Sequence, residues 1–137
     1  MDIKSQLPKF AVIVVMIGGA VILGGKMRGA GDKDVSLAVN VPSLSVMAQQ
    51  GEKLFEANCV VCHGKNAGGS KQGPPLIHKI YEPNHHADQS FMLAAKRGVR
   101  AHHWPFGDMP PQPQVSGTDV SMIVGYVREL QRANGIH

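Results

Sequence analysis

Both cysteines of this 137-residue chain fall inside one five-residue stretch, Cys59-Val60-Val61-Cys62-His63. Two thiols three apart serve as a redox disulfide, as half of a zinc site, or as thioether anchors for haem. A structural zinc site needs four ligands, usually from a second Cys/His pair at ligand spacing. The remaining histidines, His78, His85, His86, His102, His103 and His137, show no such spacing. A thioredoxin-like dithiol belongs in a βαβ context, and no such pattern surrounds Cys59. The histidine directly after the second cysteine decides the matter. In C-x-x-C-H the thiols bond to the haem vinyl groups, and the adjacent imidazole reaches the iron from the same side. Cys59 and Cys62 are therefore expected to carry one covalent haem c, with His63 as an axial ligand.

Haem iron has a second axial position. Downstream lies His102-His103-Trp104-Pro105-Phe106-Gly107-Asp108-Met109-Pro110-Pro111. A thioether sulfur is a soft ligand that favours reduced iron and raises the potential. The prolines restrict the backbone beside Met109 and suit a loop that presents its sulfur. Met92 and Met122 sit in helical patterns, where a packing role is natural. Met109 is the expected ligand; His102 and His103 are the rivals, and ligation by two histidines lowers the potential.

The chain divides by composition. Phe10 to Gly25 is a run of sixteen uncharged residues flanked by Lys9 and by Lys26 and Arg28. As a helix it spans roughly 24 Å at ~1.5 Å per residue, short of a hydrocarbon core of about 30 Å. Snorkelling basic flanks extend its reach. Residues 1–25 are read as a transmembrane signal-anchor, with a cleaved secretory signal as the alternative. Residues 26–47, with scattered Gly and Ser, Pro42 and no sustained periodicity, are read as a flexible tether. Residues 48–137 form the remaining domain. The net charge of +4 does not point to nucleic acid, because residues 1–48 hold five Lys/Arg against three Asp/Glu and residues 49–137 hold nine against seven. Neither part carries a dense basic run or the aromatics that stack bases.

Within the domain, Val120, Ile123, Val124, Val127 and Leu130 recur at +3, +4, +7 and +10 from the first, predicting a helix. Ser116 and Asp119 have capping-box spacing, Gly135 is a candidate stop, and Arg128 and Arg132 suit the dipole at that end. A further helix is expected from Asp88, as N-cap, to Gly98. The fold class is all-α: three to four short helices around haem, preceded by one transmembrane helix. So few aromatics make a small core, and haem supplies apolar surface that the side chains lack.

From about Gln49 to Ile136 the chain resembles a class I cytochrome c of the short bacterial type. Gly51, Phe55 and Cys59 recur at spacing four on one helix face, as in that family's first helix. Gly73-Pro74-Pro75-Leu76 is similar to the family's G-P-x-L loop, which implies that the Pro74 carbonyl orients His63. Trp104, five residues before Met109, matches short bacterial members and implies an indole hydrogen bond to a haem propionate. The resemblance also implies that the last helix crosses the first near Ile123 and Tyr126, with Gly51 and Gly125 permitting the close approach.

With both axial positions filled, iron favours outer-sphere electron transfer over catalysis. No nucleotide loop or zinc-protease motif appears. The expectation is therefore no enzyme but a single-haem electron carrier. Its partners are membrane redox complexes, as donor and acceptor, and its place is the inner membrane of a bacterium with the haem domain facing the periplasm. A soluble periplasmic form follows if the signal is cleaved. The alternatives are a fixed haem subunit of a larger membrane oxidoreductase, and a ligand-binding or peroxidase-like haem protein with a labile Met109. Lys65, Lys71 and Lys79, with Lys96, Arg97 and Arg100, are candidate docking charges for an acidic partner. The pairs His85–His86 and His102–His103 lack i, i+4 chelating spacing and are read as loop or surface histidines, though a peripheral metal site or a pH-linked potential stays open.

Overall fold

A computed structural model of the protein describes residues 36–137. The expected transmembrane segment over residues 1–25 lies outside the described residues, as does the tether up to residue 35. Among the described residues, no helix is long and apolar enough to cross a membrane.

Helix α1 runs Val46–Asn58 and starts at Ser45, whose side chain accepts from the Ala48 N–H. Ala48, Gly51 and Phe55 lie three and four apart, so one face is apolar and buried. A four-residue turn, α2 (Val60–His63), follows at once and is stopped by Gly64 at φ 71°. Helix α3 runs Asp88–Arg97 and ends at Gly98, φ 75°. Helix α4 runs Gly117–Ala133. Its start is the capping box expected of Ser116 and Asp119, and Gly135 follows its last turn at φ 77°. No strand forms among the described residues beyond an isolated antiparallel bridge between Val99 and Met109.

Among the described residues the largest helix–helix interface joins α1 to α4. Phe55 and Tyr126 meet there with ring centroids 5.7 Å apart, over a core that includes Ala48, Ile123, Val127 and Leu130. Gly51 sets the approach: a Cβ on it would lie 2.6 Å from the Met122 carbonyl carbon and nearer still to its oxygen. Gly125 does not share this role. A Cβ there would meet nothing nearer than the Met47 methyl at 3.8 Å, an ordinary contact.

Three further expectations are corrected. Residues 36–45, placed by sequence in a tether, lie against the domain. Leu37 N–H donates to Gly68 O at 2.8 Å, and Asn40 and Asn134 exchange hydrogen bonds of 3.0 and 2.8 Å. The Ser45 N–H and hydroxyl both donate to the Glu129 carboxylate, which holds that carboxyl below its ordinary range despite slight desolvation. Secondly, the N-cap of α3 is Ala87, without a side-chain cap. Asp88 is instead the first helical residue, and its carboxylate accepts from Arg128 Nε at 2.8 Å. Thirdly, Arg128 serves no exposed helix end. It is 6% exposed and donates to Asp88, to the carbonyls of Tyr81 and His86, and to Gln131. A buried guanidinium needs such an array, because its desolvation cost is several kcal/mol on the order-of-magnitude scale. It also lies over the Phe91 ring, 4.9 Å from the centroid.

Candidate functional site

The end of α1 and the turn α2 deliver Cys59, Cys62 and His63 within one helical stretch. Gly64 must be glycine: its φ is positive, and a Cβ would lie 2.6 Å from the Gly69 carbonyl carbon. The chain then folds back beneath the motif. Gly69 N–H donates to His63 O at 2.7 Å, and the Ser70 hydroxyl donates to Cys62 O at 2.6 Å. This return brings Pro74 O to 2.9 Å from His63 Nδ1. A carbonyl can only accept, so Nδ1 carries the proton and Nε2 keeps its lone pair for a metal. Burial holds the His63 pKa below its ordinary value, and the Pro74 carbonyl draws it part of the way back. Cys59 is half-buried; its free thiol is pushed up to about 11, first by burial and then by Cys62. Cys62 is exposed.

Cys59, His63 and Pro74 border a cavity of about 510 Å³ with a largely apolar wall. Cys59, His63, Pro74, Trp104 and Met109 all line it, together with Phe55, Leu76, Tyr81, Phe91, Phe106, Ile123 and Val124. Cys62 is the one sequence-expected residue that does not line the wall. Met109 is held by two backbone hydrogen bonds with Val99, each 2.9 Å, so its loop is tied to the end of α3. Asp108 reinforces the loop by accepting from the Ala101 N–H at 2.8 Å. His102 and His103, the rival ligands, border the same cavity.

Trp104 supplies the test of what fits. Its indole nitrogen is buried and has no hydrogen-bond partner within normal geometry. Tyr81 is near enough to feel it: burial raises the phenol pKa and the indole N–H acts in the opposite sense. That proximity does not amount to a hydrogen bond that satisfies the donor. A buried indole N–H lacking an acceptor costs free energy unless a bound group supplies one. An apolar cavity, two thiols, an imidazole with a free Nε2 and an unanswered donor together suit a planar apolar macrocycle with acidic side groups and a central metal ion.

Such a site on an all-helical frame defines a protein that carries covalently attached haem. The family model for Cytochrome c matches residues 48–131, and the chain belongs to that family. Its cofactor is haem c with iron, for which Cys59, Cys62 and His63 supply the C-x-x-C-H motif, and it is a haem c electron carrier.

Sequence reasoning missed two parts of the site. Tyr81 and Phe106 on the cavity wall stand in short segments without periodicity, so nothing local marked them, and Phe91 lies in the expected helix α3 with nothing in the sequence to say which of its faces meets the cavity. The histidine pairs, read as separate, converge: the rings of His85 and His103 lie 5.3 Å apart, and so do those of His86 and His103. His103 is exposed, yet crowding takes hydration from its charged form, and repulsion by His102, His86 and His85 adds to this, so its pKa is lowered.

Proposed function

We propose that this protein is a membrane-tethered one-electron carrier whose haem iron is held between His63 and Met109. In this reading Cys59 and Cys62 form the thioethers, Pro74 fixes the His63 ring, and Trp104 donates to a haem propionate. The observation that carries it is that His63, with its Nε2 unengaged, and Met109, with its backbone pinned to Val99, border one cavity. Haem supplies the one-electron couple. His63 and Met109 would hold the iron between them and so leave no site on it for a substrate, and the apolar wall of the cavity would cover the ring.

The uncharged run Phe10–Gly25 between basic flanks supports a membrane anchor, and the proposal places it in the bacterial inner membrane with the haem domain on the periplasmic side. Donor and acceptor are then membrane redox complexes within reach of a tethered domain. Lys65, Lys79, Lys96, Arg97 and Arg100 are exposed and suit steering toward acidic partners.

The test is a haem-stained native gel of gently solubilised membranes, beside the soluble fraction. A membrane-borne haem band near the size of the single chain is expected. Co-migration with a large complex makes the protein a fixed subunit instead. Haem found only in the soluble fraction removes the anchor from the proposal.

A further inference from the structure

Four imidazoles that arrive from two distant loops occupy one patch beside the haem cavity, and electron transfer through haem gives them no task. We propose that His85, His86 and His103 form a second metal site, for a divalent late transition-metal ion of the zinc or copper class. Each of the three offers a ring nitrogen, and these nitrogens lie within 4.8 Å of one another. Zinc–nitrogen bonds of about 2.0–2.1 Å in a tetrahedron set donor nitrogens roughly 3.4 Å apart. Closure of about 1.4 Å at the widest pair is within reach of side-chain rotation, since His85 and His103 are exposed.

The third ligand is prepared in advance. His86 Nδ1 lies 2.7 Å from Ile80 O, so Nδ1 carries the proton and Nε2 keeps its lone pair. An imidazole that donates its other N–H to a carbonyl is the usual arrangement around a bound metal, fixing tautomer and ring direction. The backbone behind it is also fixed. The N–H groups of His85 and His86 both donate to Glu82 O, and Arg128 donates to His86 O. His102 is a neighbour of the group, its ring centroid 4.3 Å from that of His103, and its Nδ1 is tied to Arg100 O at 2.8 Å; the converging donor nitrogens are those of His85, His86 and His103 alone. Water is the fourth ligand such a site takes.

The donor set selects the class of ion. The three ligands are all imidazoles, which suit zinc, copper and nickel, whereas calcium and magnesium demand oxygen. A bound ion would tie residues 85–86 to residue 103 and so brace the loop that runs on to Met109.

Calorimetric titration of the haem-loaded, detergent-solubilised full chain with zinc tests the proposal. One zinc per chain is expected, with a higher thermal midpoint of the loaded protein. His85→Gln and His103→Gln should each weaken binding by about tenfold or more, and His137→Gln should leave it unchanged. His85 and His103 are exposed, so neither variant should disturb folding, and an unaltered haem spectrum would verify that. Absence of saturable zinc binding overturns the proposal. So does binding that keeps its affinity in the double variant His85→Gln, His103→Gln.

Discussion

The crossing of α1 and α4 gives a prediction with two opposite signs. Gly51→Ala adds one methyl group where the Met122 carbonyl carbon lies 2.6 Å from its position. Carbon–carbon contacts settle at about 3.5–4.0 Å, so the helices must part by roughly 1 Å. The obstacle is backbone, and no rotamer change relieves it. A gap of ~0.5–1 Å forfeits between a quarter and a half of the dispersion attraction of the contacts it opens. Overpacking of this kind costs about 1–3 kcal/mol, and the rigid neighbour places this case at about 3 kcal/mol. The better helix propensity of alanine returns about 1 kcal/mol. The net loss of ~2 kcal/mol lowers the melting temperature by roughly 8–16 °C for a domain of this size. Gly125→Ala is the counterpart on the facing helix. Its new methyl meets only the Met47 methyl at 3.8 Å, so the propensity gain of about 0.5–1 kcal/mol stands alone and the melting temperature rises. Thermal unfolding of both haem-loaded variants by far-ultraviolet circular dichroism is the assay. If Gly51→Ala melts at or above the unaltered protein, or if both variants move in the same direction, the crossing is not set by that glycine.

Three other outcomes are expected. Arg128→Met strips the guanidinium from the His86 carbonyl and from the buried Gln131 Oε1, while the Tyr81 carbonyl keeps its bond from Gln131 Nε2; two groups left without a donor at ~1–3 kcal/mol each should lower stability by about 2–4 kcal/mol in urea unfolding, with faster hydrogen exchange in residues 82–87. Cys59→Ala combined with Cys62→Ala should prevent accumulation of folded domain, since the apolar walls of the 510 Å³ cavity would be left facing water instead of the group they pack against, and a domain's whole stability is only ~5–15 kcal/mol. A cooperatively melting haem-free domain would contradict this. Met109→His should lower the haem midpoint potential by on the order of 0.2 V, within the ~0.8 V range that axial ligands command; an unchanged potential in a redox titration would take Met109 off the iron.

What the sequence disclosed was chemistry fixed at short range. Cys59, Cys62 and His63 act through adjacency, Ser116 and Asp119 through a three-residue spacing, and the apolar face of α4 through its period. Pro74 was reached through family resemblance, and the loop does bring its carbonyl to His63. What stayed hidden depends on pairs far apart along the chain. Arg128 reads as an ordinary C-terminal arginine until Asp88, 40 residues earlier, lies beside it. Asp88 for the same reason looked like a cap. Residues 36–45 lack periodicity because single hydrogen bonds to Gly68, Asn134 and Glu129 hold them, rather than a repeating apolar face. Doubled histidines gave no chelating spacing because their partners come from another loop.

The reciprocal bonds between Asn40 and Asn134 have a consequence for modularity. They lie 94 positions apart in sequence and side by side in space, so the segment between them begins and ends at one place. A unit with adjacent ends can be spliced into a surface loop of another protein, or have its native ends joined and new ones opened elsewhere, without stretching its core. For this domain the adjacent positions are Asn40 and Asn134, so a linker that joins the chain there can be short, and the haem-bearing segment between the two asparagines would travel as a single portable cassette.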